Sequence, residues 1–143
     1  MSITKSLKHY LLLLSEIDSV YHEANLKLNI SNSYSIILYT ICLGGGSCPL
    51  QKIKKLSGLN KQTINSSIRN MEKENLVYLE YIDGKSKRIS LTQKGQELAN
   101  NTVMKIMDME NEIISRWNQE DLQKYLSMTE DFLAALKEKT AGL

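Results

Sequence analysis

Lys61, Gln62, Thr63, Asn65, Ser66 and Arg69 lie within nine consecutive residues, interleaved with Ile64 and Ile68 and followed by Met71. Apolar residues at three- and four-residue steps have the period of a helix, so the polar side chains gather on the side away from them. The carboxamides of Gln62 and Asn65 carry a donor and an acceptor side by side, the pattern that matches the edge of adenine. The Arg69 guanidinium matches guanine or a phosphate, and the Lys61 ammonium and the Thr63 and Ser66 hydroxyls suit phosphates or base edges. Any solvated helix face is polar, so no one of these residues is decisive alone.

Their context strengthens the set. A short apolar helix with Leu50, Ile53 and Leu56 inward precedes them, a Ser57-Gly58 turn follows it, and the polar helix runs from Asn60 to about Asn75. After Asn75 the apolar period falls from that of a helix to two, with Val77, Leu79 and Tyr81 alternating with Tyr78, Glu80 and Ile82. Asp83-Gly84 turns the chain into a return strand from Lys87 to Leu91, so Lys85, Lys87 and Arg88 flank a hairpin. Helix, turn, helix and basic hairpin is the order of a winged helix-turn-helix, whose second helix enters the DNA major groove.

Charge is distributed to match. The chain totals only +2, yet residues 49–94 hold ten basic side chains against four acidic ones, a local +6 that leaves −4 elsewhere. Concentrated positive charge displaces counterions from phosphates and supplies affinity without sequence information. Double-stranded DNA is the partner these features select. A winged helix that binds another protein instead is the alternative, since a fold does not dictate a function.

Other elements must carry this motif. A first helix is expected from about Ile3 to Leu28, with Leu7, Tyr10, Leu11, Leu14, Ile17, Tyr21 and Leu28 on one side. A second, capped by Ser31 or Asn32, turns Tyr34, Ile37, Leu38 and Ile41 inward before Gly44-Gly45-Gly46 stops it. Pro49 suits the first turn of the third helix. Thr92 caps a long helix from Gln93 to about Trp117, and a last one runs from Gln119 to Lys139. The fold class is mainly α with a small β-hairpin wing. A single domain, 1–143, is expected, with the winged motif at 31–94 and dimerisation helices at 1–30 and 95–143. Leu11, Leu14, Ile17, Ile113, Trp117, Phe132 and Leu136 exceed what a small winged-helix core can bury, and pairing with a second copy covers them.

Several function classes are disfavoured. His9 and His22 share the first helix with Glu16 and Asp18, but no nucleophile, base and acid ordering or HExxH spacing exists, so no enzyme is expected. Cys42 and Cys48 are not in a Cys-x-x-Cys spacing and no further ligands lie near, so neither metal nor cofactor is expected. Apolar runs are too short to cross a bilayer. Lys5 and Lys8 precede Leu11–Leu14, but Ser15-Glu16-Ile17-Asp18 follows without a cleavage site, so cytoplasmic residence is expected. Cys48, beside Pro49 at a helix start, is the candidate for an oxidant-sensitive thiol of lowered pKa.

Three stretches carry a family resemblance: Leu56-Ser57-Gly58-Leu59-Asn60-Lys61-Gln62-Thr63-Ile64-Asn65, Met71-Glu72-Lys73-Glu74-Asn75-Leu76-Val77, and Ile89-Ser90-Leu91-Thr92-Gln93-Lys94-Gly95. In this order and spacing they resemble the MarR family of bacterial transcriptional regulators, over nearly the whole chain. The resemblance implies a homodimer whose N- and C-terminal helices interlock, two winged motifs on successive major grooves of a pseudo-palindromic operator, and repression. It also implies release by a small phenolic or other anionic ligand, or by an oxidant, and an effector pocket between dimer helices and reading head for which Tyr10, Tyr21, Tyr34 and Tyr39 are candidates. Two departures stand out: Asn75 replaces the glycine that commonly ends the recognition helix, and Lys85 replaces the arginine common at the wing tip.

Overall fold

The structure is a computed structural model that describes residues 3–56 and 58–143; the inward placement expected of Leu56 and the Ser57 part of the expected turn lie outside the described residues. The elements are α1 (Ile3–Lys27), α2 (Asn32–Leu43), β1 (Ser47–Pro49), α3 (Leu50–Leu56), α4 (Lys61–Lys73), β2 (Val77–Tyr81), β3 (Lys87–Leu91), α5 (Gln93–Asn101), α6 (Val103–Ser115) and α7 (Gln119–Ala141). Two compact units result, Met1–Ile106 and Met107–Leu143.

Local chemistry sets most boundaries. Ser31, Asn60, Thr92 and Asn118 each hold extended backbone and accept a hydrogen bond from the amide three residues on. So α2, α4, α5 and α7 start where a side-chain oxygen can replace a missing helix partner. Gly45 has φ 80° and Gly46 has φ 102°. That geometry, open to glycine, lets the chain reverse after α2. The Gly46 carbonyl then accepts the Leu91 amide at 3.0 Å. Asn75 ends the α4 region with φ 60°. This is the left-handed conformation that asparagine tolerates in place of glycine.

The core of the first unit is built from one face of each element. Ile37, Leu38 and Ile41 of α2, Ile53 of α3, Ile64, Ile68 and Met71 of α4, Val77 of β2 and Ile89 of β3 pack with Ala99 and Val103. Each such aliphatic side chain taken fully out of water stabilises the fold by about 1.5–3 kcal/mol. The core therefore fixes α4 against the sheet and leaves its other side outward.

Two elements differ from the sequence expectation. Residues 47–49 form β1, so the hairpin is part of a three-stranded antiparallel sheet of order β1-β3-β2, with Cys48 opposite Ile89 and Pro49 opposite Arg88. Pro49 thus ends an edge strand, where its missing donor is harmless, and α3 begins at Leu50. The long helix expected from Gln93 to Trp117 is broken at Thr102 (φ −130°, ψ −92°). There the hydroxyl of Thr102 donates to the Leu98 carbonyl at 2.7 Å. Its amide reaches back only to Ala99. Both bonds follow two asparagines, whose helix preference is weak.

α1 has the expected limits, but the described side chains along it are exposed as far as Glu23. Leu7, Leu11, Leu14 and Ile17 stand between 41% and 52% exposed. In the second unit Leu126, Phe132, Leu133 and Leu136 of α7 are exposed in the same way, while the Trp117 and Tyr125 rings meet edge to face at 5.5 Å.

Candidate nucleic-acid interface

The recognition helix candidate is α4. Ile64, Ser67, Ile68 and Met71 are buried, and every other position from Lys61 to Lys73 is exposed or half-buried. Gln62, Ser66, Arg69 and Lys73 run at i, i+4, i+7 and i+11 along the outward ridge. Lys61 and Asn65 flank it on one side and Thr63 and Asn70 on the other. All six side chains proposed from the sequence thus lie outside the core, with Thr63 and Asn65 half-buried on the flanks. Lys73 completes the ridge and Asn70 its flank; their helical spacing from Arg69 and Ser66 was the available signal. Ser66 is turned back, its hydroxyl within 3.1 Å of the Gln62 carbonyl and 3.3 Å of that of Thr63, which leaves an acceptor lone pair facing out.

The three basic side chains of the hairpin do not form one patch. Lys85 is exposed in the turn. Lys87 pairs in register with Tyr81 and shares a face with Ile89, whereas Arg88 shares the opposite face with Ser90 and lies across from Glu80 on the central strand. The Lys87 ammonium stands 5.1 Å from the centroid of the Tyr81 ring. That is within cation–π range. Asp83, the acid at the tip, accepts the backbone amide of Lys85 at 3.3 Å and that of Ser86 at 3.2 Å. These bonds hold its carboxyl below the usual carboxylate range.

The C-terminal end of α4 is tied to α2 and α5. The Tyr34 hydroxyl donates to a Glu74 carboxylate oxygen at 2.7 Å, and the Lys94 ammonium donates to the Glu74 carbonyl at 2.9 Å. Thr92 donates its hydroxyl to the Asn75 carbonyl at 2.6 Å and its amide to the Leu76 carbonyl at 3.0 Å, and the same hydroxyl accepts the Gly95 amide. Burial, the hydrogen bond to Glu74 and that carboxylate's charge push the Tyr34 phenol up to about 12. Beside this clamp lies a groove of about 400 Å³ with Ile30, Leu76 and Leu98 as apolar walls and Tyr34, Glu74 and Lys94 at its polar side. Tyr34 is the member of the expected tyrosine set that lines it; Tyr10 and Tyr21 are on the exposed face of α1, and Tyr39 packs against the core.

Cys48 is 2% exposed, and burial pushes its thiol pKa up against the smaller opposing pull of Lys52 and Arg88. The lowered pKa expected of a helix-start cysteine does not arise, because Cys48 sits in β1 and faces the core. Burial also raises the Cys42 thiol. Among the described residues no group of three or more histidine, cysteine, aspartate or glutamate side chains could hold a metal ion. No helix among them is long and apolar enough to cross a membrane.

No protein-family model and no curated protein sequence matches the chain. Solved structures do. A MarR family regulator from Neisseria meningitidis superposes with a TM-score of 0.75 at 20% identity, covering 99% of this chain and 98% of that one. MepR of S. aureus in its DNA-binding conformation gives 0.74 at 19% identity over 92% and 98%, and the MepR–DNA complex gives 0.64 at 19% over 95% and 98%. The chain therefore has the fold of MarR family regulators along nearly its whole length.

Proposed function

We propose that this protein is a sequence-specific DNA-binding transcriptional regulator that acts as a homodimer on a pseudo-palindromic operator, as a repressor. The observation that carries the proposal is the α4 ridge: Gln62, Ser66, Arg69 and Lys73 outward with Lys61 and Asn65 beside them, on a helix locked to the core by its other face. Donor and acceptor pairs on such a ridge discriminate bases by about 1–3 kcal/mol for each good bidentate contact. The cationic hairpin supplies phosphate contacts that position the helix. MepR, of the same fold, forms a complex with DNA, which supports this reading.

A second copy is the proposed cover for the half-exposed apolar faces of α1 and α7. A twofold protein places two α4 ridges one DNA turn apart, about 34 Å, so the operator is a near-palindrome. Release by a small ligand is proposed to act through the Tyr34–Glu74–Lys94 clamp, because a ligand in the adjoining groove would compete for the donors that hold the end of α4. An oxidant trigger is not proposed, since a buried, protonated thiol is a poor peroxide target.

Retention on mixed duplex DNA that falls steeply with salt is the expected result; no retention at low salt would favour the protein-binding alternative. Fragments selected from a random duplex pool should share a palindrome. Asn65→Ala should reduce the preference for that palindrome, and Lys87→Ala should weaken all sequences alike. Equal effects of both variants on selected and random DNA would remove the assignment. Sedimentation at micromolar concentration should give a dimer, and a monomer would remove that part of the proposal.

A further inference from the structure

A chain of side-chain hydrogen bonds joins the end of α1 to the start of α2. Ser35 donates its hydroxyl to Asn25 Oδ1 at 2.8 Å, Asn25 Nδ2 donates to Asn32 Oδ1 at 2.9 Å, and Asn32 Nδ2 stands 2.6 Å from Nδ1 of His22. Asn25 and Ser35 are buried, 8% and 6% exposed, whereas Asn32 and His22 are exposed. The chain thus leads from the interior to solvent. Its polarity is fixed, because a carboxamide nitrogen only donates and its oxygen only accepts. With Asn32 Oδ1 committed to Asn25, the Asn32 nitrogen gives its proton to the ring. His22 Nδ1 is then the accepting nitrogen, which exists only in the neutral imidazole that carries its proton on Nε2.

We propose that these four side chains form a proton-operated latch: neutral His22 closes it and holds the first turn of α2 to α1, and the imidazolium opens it and weakens DNA binding. Imidazole is the side chain that ordinarily changes charge between about pH 5 and 8. His9 and His22 are the two in this chain. A proton on His22 Nδ1 sets two donors against each other at 2.6 Å. Turning every group in the chain round would restore the bonds, but Asn25 and Ser35 would have to turn inside the fold. Releasing the exposed ring is the smaller change. Surrounding charges favour release. Asp18 lies one turn before His22 on α1 and offers the imidazolium a carboxylate, while Glu23 is paired with Lys27 at 3.5 Å. α2 carries no acid, lysine, arginine or histidine; its Tyr39 and Cys42 pack against the core and its Tyr34 bonds Glu74. The effect on DNA rests on the DNA-binding reading above and follows from position. Asn32 is the first residue of α2, and Tyr34, two residues on, holds Glu74 at the end of α4. Asn25 also anchors the intervening turn, its carbonyl accepting the Ile30 amide at 3.0 Å. Opening the latch therefore loosens the turn from which the recognition helix is steadied.

His22→Asn puts a carboxamide oxygen near the place of Nδ1 and takes up no proton in this range, so it holds the latch closed. NMR of the whole protein follows the side-chain amides of Asn25 and Asn32 from about pH 7.5 to about pH 5.5. Affinity for a duplex selected by the parent protein is measured at both ends of that range at constant salt, with thermal melts as the folding control. In the parent both amides should shift together with the His22 ring, and affinity should fall about fivefold, the effect of losing one hydrogen bond. His22→Asn should bind as the parent does at the upper pH and lose the fall. Asn32→Ala should bind about fivefold more weakly than the parent at the upper pH and show no further fall. His9→Gln should keep the parent's profile. Asn25 amide signals that stay still while the His22 ring titrates would overturn the latch, as would a His22→Asn protein that keeps the parent's fall in affinity. Equal parent affinity at both pH values, with the amides shifting, would overturn the link to DNA. Absence of salt-dependent DNA binding by the parent would overturn the DNA reading, and the amide signals would still decide the latch.

Discussion

Gly95→Ala should be the most damaging of the glycine-to-alanine changes in this chain. A Cβ built at Gly95 falls 1.9 Å from the Leu76 carbonyl oxygen, 2.9 Å from its carbon and 3.3 Å from a Leu91 methyl, whereas ordinary contact begins near 3.4 Å. About 1.5 Å of movement is therefore demanded of backbone, which cannot swing aside as the end of a lysine can. The carbonyl that must move accepts the Thr92 amide at 3.0 Å. Losing that bond costs about 1 kcal/mol. Leu76 and Leu91 move with it, and overpacking of this kind costs about 1–3 kcal/mol. Together they come to about 2–4 kcal/mol, which at this chain length lowers Tm by roughly 10 °C. Gly84→Ala is the control, because nothing lies within 4 Å of its Cβ. It should leave stability unchanged or raise it by up to about 1 kcal/mol. Urea and thermal melts of the two variants and the parent at equal protein concentration decide the matter. A Gly95→Ala protein that melts with the parent would refute the claim that α5 is seated directly on the Leu76 backbone.

Three further outcomes are expected. The Tyr34 phenol is raised from 10.0 to about 12, so the folded state holds its proton more tightly than the unfolded state does. Its stabilisation is complete below pH 10 and is lost as pH rises through 12; Tyr34→Phe should flatten that alkaline limb, and an unchanged limb in urea melts would contradict it. Asn75 holds φ 60°. There Asn75→Ala should cost about 1 kcal/mol and Asn75→Gly should cost nothing; equal loss from both would remove the left-handed strain as the cause. Cys48 and Cys42 should react with an aromatic disulfide far more slowly in the native protein at neutral pH than in denaturant, because both thiols are held protonated and Cys48 is buried; immediate native reaction of Cys48 would be the contrary result.

Spacing along the chain was enough for most features with a local cause. The caps at Asn60 and Thr92, the buried stripe Ile64–Ile68–Met71, the left-handed Asn75 and the return strand Lys87–Leu91 depend on residues within a few positions of one another, so their types and intervals encode them. The outward side of α4 follows from the same stripe. β1 was not legible because three residues have no measurable period and exist as a strand only by pairing with β3 some forty positions later. The break at Thr102 left the apolar spacing running through it, so only the backbone geometry reveals it. Cys48 looked activated by its neighbours in sequence and is deactivated by its neighbours in space. Lys87 and Arg88 are adjacent in sequence and face opposite sides, and the Tyr34–Glu74 bond joins positions forty apart. Local hydrogen bonds and periodic burial decide elements and their faces, whereas partners across the fold are chosen by packing, and packing leaves no signature in the interval between two residues.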